Sequence, residues 1–262
     1  MKSSTADVRE KDVKERQCFL CLEHLPEGQK GILHRSEYLV LCNPMPVFSS
    51  HLTVSHIDHR GQSISENIDT LLQLMEDFGS GWTLLYNGPR CGASAPDHLH
   101  FQAVPSGKMP IEKEIEETRR LTFVRQVEGV PLVLLRDVGR EIVMLQSDDP
   151  DKVGAVLERF LSALKKILLV AEEPMINIAG SYSEKKWRLI IFPRRKHRPD
   201  IFFEEGDARV VVSPGVIDMG GVLITPVVKD FERLNATAVE SIYREVTLES
   251  KLVEKAIDTI LR

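Results

Sequence analysis

No stretch of the 262-residue chain approaches the roughly 20 apolar residues that a bilayer-spanning helix needs, so no membrane role is expected. The opening segment, Met1–Arg16, is charged and polar and lacks the apolar centre of a secretory signal; the expectation is a cytoplasmic protein. Cysteine is scarce, with only Cys18, Cys21, Cys42 and Cys91. So few thiols without an export signal make a poor disulfide framework. The Cys18-Phe19-Leu20-Cys21 pair then points to metal or redox chemistry. Excess positive charge is also missing: 34 basic against 39 acidic residues leave a formal net charge of −5. Bulk electrostatics therefore give no case for nucleic acid binding. Neither a low-complexity linker nor an internal repeat is visible.

What the chain does have is an ordinary globular balance, 42% hydrophobic and 28% charged, sufficient for a substantial core. Strands are expected at Glu37–Asn43, His51–Ile57, Trp82–Tyr86, His98–Val104, Leu121–Val127, Leu132–Arg136, Glu141–Leu145 and Val222–Val227. Ile176–Tyr182 and Trp187–Phe192 read as a hairpin around Ser183–Lys186. Apolar residues at helical spacing predict helices over 64–78 and from Val153 to Leu168, with others at 236–245 and 249–262 and a short polar one at 5–16. Strands outnumber helices and several are joined by short turns, which favours an α+β fold with a largely antiparallel sheet and flanking helices. The polar stretch 105–118 suggests an N-terminal half, 1–118, and a C-terminal half, 119–262, that can share one sheet.

On a strand from His98 to Val104, side chains alternate, so His98, His100 and Gln102 share one face while Leu99, Phe101 and Ala103 face a core. The preceding segment, Asn87-Gly88-Pro89-Arg90-Cys91-Gly92-Ala93-Ser94-Ala95-Pro96, must be a loop. Its small residues let backbone amides approach an anion, and Ser94 adds a hydroxyl. An imidazole beside such a cradle suits phosphoryl or nucleotidyl transfer.

The stretch NGPRCGASAPDHLHFQ, Asn87 to Gln102, resembles the active-site segment of the histidine-triad superfamily, and most closely its transferase branch, whose motif is His-x-His-x-Gln. That branch includes galactose-1-phosphate uridylyltransferase, diadenosine-tetraphosphate phosphorylase and GDP-hexose phosphorylases. Leu39–His59 resembles the family's paired strands, and Ser213–Leu248 is similar to the distal part of GDP-hexose phosphorylases. The resemblance implies a histidine-triad-like fold and a nucleotidyltransferase or phosphorylase that acts on a nucleoside diphosphate sugar or dinucleoside polyphosphate. A phosphate or sugar phosphate would be the acceptor. It implies that His100 is the nucleophile, that Gln102 hydrogen-bonds the transferred phosphate, and that Gly92, Ala93 and Ser94 form the phosphate loop. Asn87 would lie near the phosphates and Asn43 near the nucleoside. Members of this superfamily are often dimers, so a homodimer is among the expectations.

Cys18-x-x-Cys21 is half of a zinc site, since zinc takes four ligands, commonly two Cys and two His. The resemblance supplies His59 and His98 as the other pair, with His56 competing for the place of His59. The run Arg194-Arg195-Lys196-His197-Arg198 reads first as a solvated charged face. Bracketed by Pro193 and Pro199, it also offers Lys196 and Arg198 as contacts to an anionic substrate. The rival readings are a non-catalytic zinc-stabilised nucleotide-binding protein and a histidine-triad nucleotide hydrolase.

Overall fold

The structure is a computed structural model that describes residues 16–135 and 137–261. The helix expected at 5–16 lies, apart from Arg16, outside the described residues. Among the described residues ten strands form one sheet: β1 (Gly31–His34), β2 (Tyr38–Cys42), β3 (Leu52–His56), β4 (Trp82–Asn87), β5 (His100–Pro105), β6 (Leu121–Val127), β7 (Val130–Leu135), β8 (Ile142–Ser147), β9 (Ile176–Ser183) and β10 (Lys186–Pro193). The helices are α1 (Ile68–Phe78), α2 (Ile111–Glu114), α3 (Pro150–Leu168), α4 (Val216–Met219), α5 (Val228–Arg233), α6 (Ala236–Val246) and α7 (Ser250–Ile260).

The sheet order is β1-β2-β3-β5-β4-β9-β10-β8-β7-β6, and every pairing is antiparallel. This order has a symmetry that the sequence hides. Each half runs through three strands, then a long helix, then a hairpin whose second strand returns beside the third. The first half does so with β1–β3, α1 and β4–β5, the second with β6–β8, α3 and β9–β10. The two units meet at the β4/β9 seam, where Asn87 lies opposite Asn177. The expected α+β fold with a largely antiparallel sheet is observed.

Local chemistry explains the elements. The two-residue turns Glu128-Gly129 and Glu184-Lys185 all have positive φ, as a tight hairpin between right-twisted strands requires. Helix α3 starts where the Asp149 carboxylate accepts the Lys152 amide ahead of Pro150. Its apolar stripe, from Val153 through Leu164, is buried with α1 and α7 against one face of the sheet. The other face of the second half is covered by α2, α4 and α6.

Three expectations need correction. The α1 helix begins at Ile68 and not at 64: the Ile64 carbonyl closes a tight turn to the Asn67 amide, and the first helical bond runs from the Leu71 amide to the Asn67 carbonyl. Val222–Val227 forms no strand: the sheet edges are β1 and β6, and the Ile224 amide goes to the Asp218 carboxylate instead of a ladder. Strand β1 was not anticipated. No helix among the described residues is long and apolar enough to cross a membrane.

Candidate active site and metal cluster

Strand β5 begins at His100, two residues later than expected, so His98 sits in the turn before it, where its amide bonds the Ala95 carbonyl. His100, Gln102 and Val104 share the face opposite α1. Val104 there joins the apolar core, whereas His100 and Gln102 extend it as a polar row. Across the ladder, Ser55 lies opposite His100 and Thr53 opposite Gln102.

His100 is 3% exposed. Its Nδ1–H donates to the His98 carbonyl at 2.8 Å, which leaves Nε2 as the atom with the lone pair. Burial is the main cause that lowers its pKa to about 4, so the ring is neutral near pH 7. The strand carrying it is held by Gln62, whose Oε1 accepts the His100 amide at 2.8 Å while Nε2 donates to the carbonyls of His100 and Asn87. Gln62 thereby pins the end of β4 to the start of β5, a role that its sequence context gave no means of reading.

Gln102 is fixed by His51, which sequence reasoning left as a structural or surface residue. The Val47 amide donates to His51 Nδ1 at 3.2 Å, so the neutral ring carries its proton on Nε2. Burial lowers the His51 pKa and keeps it in that state. Nε2–H then donates to Gln102 Oε1 at 3.0 Å. With its oxygen committed, Gln102 turns its NH₂ elsewhere, and that group has no acceptor among the described residues. Strand alternation from His51 through Thr53 to Ser55 was a usable signal, but the pairing partner of β3 was not legible.

The loop from Asn87 to Pro96 is shaped by glycine. Gly92 has φ +107°, and a Cβ there would lie 2.9 Å from the Gly215 Cα and 3.0 Å from Asn87 Oδ1. The amides of Gly92 and Ser94 donate to no acceptor among the described residues, whereas the Ala93 amide is spent on the Gly88 carbonyl. Ser94 is half-buried, its carbonyl held by Arg16 and its hydroxyl without a partner among the described residues. Asn87 is buried, and its Oδ1 accepts from the Val216 amide and from Asn177 Nδ2, both at 2.8 Å. Asn43, half-buried at the end of β2, donates to Thr53 Oγ1 and accepts from the Met45 amide.

The structure brings Cys18, Cys21, His59 and His98 together, with their ligand atoms all within 4.8 Å of one another, a cluster that could hold a metal ion. The Cys18 Sγ–His98 Nδ1 distance is 3.3 Å, Cys21 Sγ–His59 Nδ1 is 3.2 Å and Cys21 Sγ–His98 Nδ1 is 3.6 Å. His98 Nε2–H donates to the His56 carbonyl at 2.8 Å, so Nδ1 faces the sulfurs unprotonated. Asp97 lies 3.6 Å from His59 Nε2, and Arg16 bonds the same carboxyl group. His56 is the wrong residue for this cluster: its Nδ1 accepts the Asp58 amide and its ring packs edge-on against Tyr38. Burial, with Cys18 adding to it, pushes the Cys21 thiol up to about 11, a penalty that a bound cation would reverse.

The basic run divides. Arg194, expected on a solvated face, is 1% exposed. Lys196 is paired with Asp200 and Glu245. Arg198 Nε donates to Ser213 Oγ at 3.0 Å, and its guanidinium covers the Phe202 ring. These contacts of Lys196 and Arg198 are with residues 200–245 and not with the histidine row.

The fold is of the histidine-triad type, with His-x-His-x-Gln beside a small-residue loop. Among solved structures the chain is similar to yeast Ap4A phosphorylase, with a TM-score of 0.55 at 16% identity over 81% of this chain and 74% of that one. The yeast enzyme in complex with Ap4A gives 0.54 at the same identity and coverage. An ADP-glucose phosphorylase from Arabidopsis thaliana with bound ADP-glucose matches more weakly, with a TM-score of 0.44 at 16% identity over 89% of this chain and 90% of that one. Residues 1–105 match the family model described as Domain of unknown function (DUF4922). No curated protein sequence matches the chain significantly. The expected histidine-triad-type fold is borne out.

Proposed function

We propose that the protein is a phosphorylase-type nucleotidyltransferase that uses His100 as a covalent nucleophile on a nucleoside diphosphate sugar or a dinucleoside polyphosphate. The observation that carries this reading is the state of His100. Its Nδ1 proton is committed to the His98 carbonyl and burial keeps the ring neutral, so Nε2 offers a lone pair. Nε2 attacks the α-phosphorus; an N–P bond forms as the P–O bond to the leaving group breaks. A phosphate or sugar phosphate then attacks the same phosphorus, the N–P bond breaks, and the imidazole is regenerated. Gln102 cannot move a proton, so its role is donation from Nε2 to phosphate oxygens. Ser94 and the unspent amides of Gly92 and Ser94 supply further donors, and Asn87 and Asn43 lie toward phosphate and nucleoside. The activity named for the yeast neighbour, Ap4A phosphorolysis, supports this reaction type.

We assign zinc to Cys18, Cys21, His59 and His98. Zn–S near 2.3 Å and Zn–N near 2.0 Å at tetrahedral angles put sulfur and nitrogen about 3.5 Å apart, and the three separations above bracket that value. The ion would deprotonate the thiols and brace the fold. It does so through His98, whose carbonyl is the acceptor that sets the His100 tautomer.

The test is a panel of α-³²P-labelled Ap4A, ADP-glucose, GDP-glucose and UDP-glucose, each incubated with the protein and quenched in base. A phosphoramidate survives base and is lost in acid, so label is expected on the peptide that contains His100. Added phosphate should release it as nucleoside diphosphate. Nucleotide bound without label would indicate a binding protein, and turnover without an acceptor a hydrolase.

Two predictions follow from the donors. Ser94→Ala and Gln102→Ala should each lower transfer by about 10²–10³ with the fold intact, because one donor aimed at a charged transition state is lost. Label transfer at the wild-type rate in both would show that the cradle lies elsewhere. His51→Leu should cost about tenfold, equivalent to roughly 1.4 kcal/mol, because Gln102 can then turn its oxygen toward phosphate. Retention of full activity in that variant would deny His51 its orienting role.

A further inference from the structure

Arg194 follows β10 in the second half of the sheet and is fully buried, yet among the described residues no carboxylate forms an ion pair with it. Its guanidinium donates instead to neutral acceptors from four segments: the Val246 carbonyl, Asn177 Oδ1, the Pro214 carbonyl, and the carbonyls of Lys196 and His197. Asn177 stands opposite Asn87 across the β4/β9 seam. Its Nδ2 donates both to Asn87 Oδ1 at 2.8 Å and to the Cys91 carbonyl at 2.7 Å.

The polarity of this chain is determined at its ends. The guanidinium can only donate, so Asn177 must present Oδ1 to it. The Cys91 carbonyl can only accept, so Asn177 must present Nδ2 there. The Val216 amide can only donate, so Asn87 must present Oδ1 to it. Both carboxamides are thereby locked, and Asn87 is left with its Nδ2 free of any acceptor among the described residues, beside the loop that holds Gly92.

We propose that Asn177 and Arg194 are positioning residues for nucleotidyl transfer: a relay Arg194–Asn177–Asn87 turns the Asn87 NH₂ toward the substrate's phosphates and fixes the loop at Cys91. The second half of the sheet carries no catalytic histidine, and this relay is how it acts on the site of the first. The inference rests on the transfer reading above.

Asn177→Asp tests it. The carboxylate still accepts from Arg194, and that charge pair offsets the lost bond to the Cys91 carbonyl, so the melting temperature should stay near the wild-type value. It cannot donate to Asn87, which should turn its NH₂ toward the new carboxylate and its oxygen toward phosphate. The rate of base-stable labelling by the α-³²P panel is expected to fall at least tenfold. Asn177→Ser introduces no charge and should show a loss of the same kind, which keeps the test decisive if the carboxylate disturbs folding. In an Asn87→Ala background the loss should shrink to the part owed to the Cys91 carbonyl bond, because the group that Asn177 orients is gone. Labelling within twofold of wild type in both Asn177 variants overturns the relay. So does an undiminished loss in the Asn87→Ala background, which would trace the effect to charge or packing. A wild-type protein that takes no label from any member of the panel overturns the transfer reading itself, a result distinct from either.

Discussion

His100→Ala is expected to abolish histidine labelling and to lower transfer by at least about 10⁴-fold, as removal of a covalent nucleophile does, while the protein keeps its fold and its metal. The expectation rests on position. His51, the nearest candidate substitute on the polar face, has its Nδ1 taken by the Val47 amide and its Nε2–H by Gln102. His98 has its Nε2 committed to the His56 carbonyl and its Nδ1 turned to the cysteines. Neither offers a lone pair to a phosphorus atom. Metal retention is expected because His100 is no part of the cluster; its link to His98 runs through a backbone carbonyl that alanine leaves in place. Three measurements check this: base-quenched labelling, metal content, and a melting curve. Undiminished transfer, or base-stable label on another residue, would reject the covalent mechanism.

Cys18→Ser is expected to have the largest effect on stability. The purified protein should hold about one zinc per chain, and the variant should lose it together with roughly 4 kcal/mol or more of stability, the range in which loss of a structural metal falls. Cys18 is 5% exposed and packs with Leu20 and Ala95, so the cluster ties the segment after Arg16 to the turn that leads into β5. Transfer should fall as well, because the turn held by His98 supplies the acceptor for His100 Nδ1–H. His98→Ala should share both losses, whereas His100→Ala shares only the second. Metal analysis of fresh, unchelated protein decides the matter, and absence of zinc would remove the ion from the account. Zinc lost in Cys21→Ser yet retained in His59→Ala would replace His59 by another ligand.

The parts of the site that were legible in the sequence are the local ones. Alternation along a strand placed His100 and Gln102 on one face, and the composition of residues 87–96 required a loop whose backbone can approach an anion. The Cys18–Cys21 spacing announced half of a Cys/His cluster that could hold a metal ion for the same reason, since ligands three residues apart need no knowledge of the fold. What stayed hidden were residues whose role is given by a distant partner. His51, Gln62 and Asn177 are ordinary polar residues until β3, β4, β5 and β9 are laid side by side. The choice between His56 and His59 turned on a single local bond, the Asp58 amide to His56 Nδ1, that composition does not encode.

Arg194 makes the distinction most sharply. Within a run of five basic residues, solvent is the ordinary place for such a charge, because burying an unpaired guanidinium carries a large desolvation cost. Here acceptors separated by up to 69 positions, from Asn177 to Val246, converge on it and replace water. By itself the sequence determined the periods of its strands and helices, the face shared by His100 and Gln102, and half of a Cys/His cluster that could hold a metal ion, since each depends on neighbours a few residues away. Only the tertiary structure decided that the two halves repeat one topology in a single sheet, and that a cation in the second half orients an amide in the first. Those contacts depend on which strands pair across the seam, a free-energy choice made by the whole core.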